Sequence, residues 1–102
     1  RVQNIWYDEA CQILVIMRGR LLFVFNFSPS QSLADYQFIA PSGKYTLVLD
    51  TDDTAFGGQR LIDPKVDHFT ESDKNLPAHK GHLSLYIPAR SAQVYRLEKG
   101  GK

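Results

Sequence analysis

Cysteine is nearly absent. Cys11 stands alone among 102 residues, so no disulfide can form within the chain. A lone thiol at the start of an apolar stretch suits a buried structural role in a reducing, cytoplasmic setting. Excess charge of one sign is also missing, because twelve Lys and Arg stand against eleven Asp and Glu for a net +1. That balance leaves no electrostatic footprint for nucleic acid. No apolar run approaches the ~18 residues of a membrane span, and no membrane partner is expected. No stretch shows the 3.6-residue apolar period of a helix, and no segment repeats. The chain opens on Arg1, with neither Met nor a signal-peptide pattern, and this reads as a piece of a longer polypeptide.

What is present is apolar and aromatic. Hydrophobic residues make up 43% and aromatics 12%, enough to exclude disorder and to fill one core; residues 1–102 are read as a single domain. The rest is organised around Leu21 to Phe27, Leu-Leu-Phe-Val-Phe-Asn-Phe. At a strand's two-residue period Phe23, Phe25 and Phe27 share one face and Leu22, Val24 and Asn26 the other, so both faces are almost wholly apolar. Gln12 to Met17 is apolar on both faces as well, and Gly19 permits the tight reversal that pairs the two segments. Antiparallel sheets commonly keep one face wet. Two adjacent strands without a polar face imply a cover outside the sheet as well as inside it.

Further strands follow in order. Ile5 to Tyr7 forms a short first one. Ser28 to Ser32 is a loop around Pro29. Asp35 to Ile39 alternates with Tyr36 and Phe38 inward, and Pro41-Ser42-Gly43 turns the chain. Lys44 to Leu49 alternates again, which assigns Tyr45, Leu47 and Leu49 to the core. Asp50 to Gly58 reads as a long loop in which Gly57 and Gly58 hold backbone angles closed to other residues. Leu61 and Phe69 are read as core anchors, and Glu71 to Gly81 as polar and mobile. His82 to Ile87 points Leu83, Leu85 and Ile87 inward, and Ser91 to Leu97 is last. The fold class is all-β, an antiparallel β-sandwich of about seven to eight strands.

A search for chemistry is negative. Glycosidases need two carboxylates about 5 Å or about 6.5–9.5 Å apart. Asp50, Asp52 and Asp53 are the only acidic cluster, and they read as turn formers in a solvated loop. His68, His79 and His82 lack a cysteine or carboxylate at ligand spacing, so no metal is assigned. Phe56-Gly57-Gly58 is not followed by Lys-Ser/Thr and is no phosphate loop. Asn26-Phe27-Ser28 matches a glycosylation acceptor but falls inside a strand. No catalytic residue and no cofactor are assigned. Sugar rings stack on exposed aromatic faces, which makes Tyr86 and Trp6 the candidates for a glucan or an interdomain contact.

An ordered set of residues carries a family likeness. Leu21 to Pro29 is followed by Asp35-Tyr36, Pro41 to Tyr45, Leu49 to Asp53, Phe56-Gly57-Gly58, His68-Phe69-Thr70 and Leu85 to Ala92. This order resembles the C-terminal all-β domain of 1,4-α-glucan branching enzymes, members of the α-amylase superfamily. The chain departs from the family's usual pattern at Ser28, Gln37, Ser42 and Ile62. The resemblance implies a β-sandwich that follows a catalytic (β/α) barrel, in an enzyme that cuts an α-1,4-glucan and rejoins the fragment through an α-1,6 bond. The family's catalytic carboxylates lie in that barrel, so the resemblance implies a non-catalytic accessory domain whose partner is the barrel, and glucan is a candidate ligand. Two readings stay open beside it, an independent glucan-binding module and an unrelated immunoglobulin-like interaction domain.

Overall fold

A computed structural model describes residues 2–51 and 67–98. Eight strands run in order: β1 Val2–Asp8, β2 Ile13–Arg18, β3 Leu21–Asn26, β4 Leu33–Pro41, β5 Lys44–Asp50, β6 His68–Phe69, β7 Lys80–Ile87 and β8 Ser91–Leu97. They form two antiparallel sheets, one of six strands in the order β1-β2-β3-β8-β5-β6 and one of two, β4-β7. There is no helix among the described residues, and none that is long and apolar enough to cross a membrane. Asp52, Asp53, Phe56, Gly57, Gly58, Leu61 and Ile62 lie outside the described residues.

The β2–β3 hairpin follows from its sequence. Arg18 pairs with Leu21, leaving Gly19 and Arg20 as a two-residue turn in which Gly19 has φ 59°. A two-residue hairpin turn with positive φ only at its first central position wants glycine there, and its twist matches the strands it joins. β3 then sits between β2 and β8. Leu22 and Val24 are fully buried and Asn26 nearly so, while Leu21, Phe23 and Phe25 remain half-buried on the other side. Burial of a Leu or Val side chain contributes about 1.5–3 kcal/mol.

The core lies between the sheets. Ile13, Val15 and Met17 from β2, Tyr45 from β5 and Tyr95 from β8 meet Phe38 and Ala40 of β4 and Leu83, Leu85 and Ile87 of β7. Tyr45 and Tyr95 bury their rings because each hydroxyl finds an acceptor. Tyr45 donates to the Pro41 carbonyl at 2.7 Å, and Tyr95 donates to Gln93 Oε1 at 2.7 Å. Gln93, fully buried, gives its Nε2 proton to the Tyr86 carbonyl at 3.1 Å, so a polar side chain in the core is satisfied at both ends.

Three readings of the sequence need correction. The register of β5 on β8 shifts between Leu47 and Leu49; this bulge absorbs Val48 and inverts the alternation beyond it. Leu47 packs on the core, but Leu49 faces out at 47% exposure and Asp50 turns in. Phe69 is no anchor: it is 65% exposed, and His68 is the residue of β6 that turns inward. The stretch Glu71 to Gly81 is not wholly irregular. Glu71 exchanges both backbone hydrogen bonds with His82, and Lys80 and Gly81 already belong to β7.

Candidate functional site

Trp6 faces inward, opposite the buried Val15, and is half-buried against the core. Its indole N–H donates to the Tyr36 hydroxyl at 2.8 Å, and its ring tilts on Phe38 at 6.3 Å. Tyr36 in turn donates to Asp8 Oδ2 at 2.7 Å, and Asp8 Oδ1 accepts from the Cys11 backbone N–H at 3.1 Å. This chain of donors ties β1 to β4 across the sandwich. The Tyr36 hydroxyl, with help from the Cys11 amide, holds the Asp8 carboxyl below its ordinary range. Burial, with Asp8 beside it, pushes the Cys11 thiol up, away from the thiolate that a nucleophile needs.

Tyr86 alternates with the buried Leu85 and Ile87 and stands on the outer side of the two-stranded sheet, half-exposed. Around it that side is polar: Gln37 Nε2 reaches Ser84 Oγ at 3.4 Å, and His82 pairs with Asp73 at 2.9 Å. The structure does not bring the three histidines into one site. His79 is exposed, and His68 sets its ring edge-on against Tyr95 at 5.5 Å. Burial lowers the His68 pKa, only partly opposed by the Asp67 carboxylate. No group of three His, Cys, Asp or Glu among the described residues could hold a metal ion. Asn26 is 2% exposed. Its Nδ2 donates to the carbonyls of Gln31 at 2.9 Å and Ile87 at 3.2 Å, and its Oδ1 accepts from the Ser28 N–H at 2.9 Å. Such a side chain clips the strand exit and cannot carry a glycan.

The outer side of the six-stranded sheet holds the largest set of unburied apolar side chains. Strand pairing sets them in rows. Ile16 lies opposite Phe23, Phe23 opposite Val94, and Val94 opposite the displaced Leu49. In the next row Tyr7 lies opposite Leu14, Leu14 opposite Phe25, and Phe25 opposite Ala92. Phe27 extends the second row by stacking on Phe25 at 5.9 Å and 15°. Tyr7 is 67% and Phe27 58% exposed. Arg18 and Arg96 flank Leu21 at the hairpin end. Sequence reasoning saw the apolar second face of β3 but missed Tyr7 and Leu49, because register shifts, the first between Asn4 and Trp6 in β1 and the second in β5, decide which way each points.

Comparison with known proteins agrees with this architecture. Residues 6–98 match the family model described as the alpha amylase C-terminal all-beta domain. The chain is 41% identical over 92 residues, 89% of its length, to a protein of Emericella nidulans named 1,4-alpha-glucan-branching enzyme. It is 41% identical over 90% of its length to the Aspergillus oryzae protein of the same name. Over 88% of its length it is 42% identical to the Arabidopsis thaliana 1,4-alpha-glucan-branching enzyme 2-2, chloroplastic/amyloplastic. It spans only 13%, 13% and 11% of those three relatives. The chain therefore belongs to the alpha amylase C-terminal all-beta domain family.

Proposed function

We propose that this chain is the non-catalytic C-terminal accessory domain of a 1,4-α-glucan branching enzyme, stabilising a catalytic barrel that transfers α-1,4-glucan segments into α-1,6 branches. The observation that carries the reading is identity of 41% along nearly the whole chain to a segment that makes up 13% of a branching enzyme. The described residues fit a supporting role: the buried polar groups Asn26, Gln93 and Tyr95 are engaged in holding loops and strands. The lone Cys11 suits a cytoplasmic enzyme. The intact polypeptide should convert amylose to a product with new α-1,6 anomeric proton signals, and the 102-residue chain alone should not. Branch formation by the chain alone would refute the reading.

A glucan contact by the domain itself is a second reading. It is favoured by Tyr86, whose ring stands outward beside Gln37 and Ser84, an amphipathic ring next to hydrogen-bonding groups. Retardation in a glycogen-containing gel that is lost on Tyr86→Ala would support it, and unchanged mobility would leave the structural role alone.

A further inference from the structure

We propose that the outer face of the six-stranded sheet, centred on Phe23 and Phe25, is the surface by which this domain docks on the preceding catalytic domain of the same polypeptide, an inference that rests on the branching-enzyme reading. Four observations converge on that occupant. The two central rows, Ile16-Phe23-Val94-Leu49 and Tyr7-Leu14-Phe25-Ala92, contain no charged side chain, and charge returns at the border with Arg18, with Arg96 paired to Glu98, and with Lys44 paired to Asp67. An apolar centre with a charged border is the anatomy of a protein interface, and a monomer seldom leaves so large an apolar patch in water.

The Phe25 and Phe27 rings stack on each other on this side, forming an aromatic platform of the kind that anchors interfaces. The other sheet offers a contrast, since its outer side sets Ile39 and Tyr86 among the polar Gln37, Ser84 and His82. Finally, the relatives are several times longer than this chain, so protein is available within the same polypeptide to supply the cover. Apolar contact would hold the two parts together, and the Arg18 guanidinium would meet a carboxylate at the border of the partner surface, Arg96 being already paired with Glu98 at 3.2 Å.

Hydroxyl-radical footprinting of the intact polypeptide tests this within one molecule. Tyr7 is 67% exposed in the domain and Tyr86 only half-exposed, so an uncovered outer face makes Tyr7 the faster to oxidise. Docking reverses that order, with Tyr7 oxidised several-fold more slowly than Tyr86. In the variants Phe27→Ser and Leu49→Ser, which alter side chains already exposed, Tyr7 should become the faster residue again. Tyr7 reacting faster than Tyr86 in the unmodified polypeptide would overturn the assignment. Protection of Tyr7 that disappears on dilution would overturn it too, by making the occupant a second copy. Failure of the branching-enzyme reading would show separately, as an intact polypeptide that forms no α-1,6 branches whatever the order of oxidation.

Discussion

The Tyr36 hydroxyl donates to Asp8 Oδ2 at 2.7 Å while accepting from the Trp6 indole at 2.8 Å, so a single phenol joins the first strand of the large sheet to the first strand of the small one. Tyr36→Phe removes both bonds, strands the Trp6 N–H, and leaves Asp8 with the Cys11 amide. A hydrogen bond to a charged group is worth about 1.5–3 kcal/mol, and the variant should lose about that much in urea unfolding at pH 7. The sign with pH follows from the lowered Asp8 pKa. The contribution is fully present above the unfolded value, about 3.9, and fades as pH falls through the folded value, so the gap between wild type and variant should close in strong acid. A gap unchanged at low pH would show that Asp8 is not the acceptor that matters.

At the alkaline end the same residue acts in the opposite sense. Burial, then the Asp8 bond, pushes the Tyr36 hydroxyl up to about 12. Burial also raises Tyr45 and Tyr95. Above about pH 10 the unfolded chain releases phenolic protons that the folded one retains, so stability falls as pH rises from there toward 12. Tyrosinate absorbance near 295 nm should rise together with loss of fold. Full ionisation of all five tyrosines in a chain that keeps its structure would contradict this.

His68 provides an acid-side dependence near neutrality. Its pKa is lowered by burial against Tyr95, so protonation is resisted in the folded state. The unfolded chain takes up that proton from about pH 6.5 downward, and unfolding free energy should decline as pH drops from 7 toward 5.5. His68→Gln should flatten that segment of the profile. An equal slope in wild type and variant would assign the dependence elsewhere.

Much of the sandwich was legible because burial on a strand has period two. Ile13, Val15 and Met17, then Leu83, Leu85 and Ile87, alternate without interruption and are all buried. The family likeness was legible from the same strands and the turns between them. Where the reading failed, a backbone irregularity intervened. The bulge at Val48 has no residue signature, since Leu-Val-Leu is apolar throughout and fits either facing, and it moved Leu49 to the outside. His68 rather than Phe69 turned inward because β6 is only two residues long and its facing is fixed by the pairing of Tyr45 with His68. Asp35 has φ 51° within the β4 irregularity opposite β7, a conformation that aspartate tolerates better than most residues; that was a usable signal.

Gly81 was read as the end of a polar segment, yet its backbone position is among the most constrained. A Cβ there would lie 2.9 Å from Thr70 Cβ and 3.0 Å from the Glu71 carbonyl oxygen, where the Glu71–His82 bridge leaves no slack. Gly81→Ala should destabilise by about 1–3 kcal/mol, the range for overpacking a tight site. An unchanged melting temperature would mean that the 70–71 segment yields freely.

Asn26 gives the sharpest stability test. Its three hydrogen bonds reach both sides of the sandwich opening, and Asn26→Ala would leave the buried Ser28 N–H and the Ile87 carbonyl without it. With about 1–3 kcal/mol for each buried group left unsatisfied, a loss of at least about 2 kcal/mol is expected. Asn26→Asp should be no better, because a carboxylate cannot donate to two carbonyls. Equal stability of either variant in urea would remove Asn26 as the clip.

The proposed docking presupposes that this domain is one part of a larger, branching-enzyme polypeptide. The most direct measurement is the intact mass of the native polypeptide that carries this sequence. A species several times heavier than the 11.6 kDa of these residues is expected, with a catalytic barrel encoded upstream; a native species of 11.6 kDa would contradict the proposed function and leave the apolar face to be covered by something else.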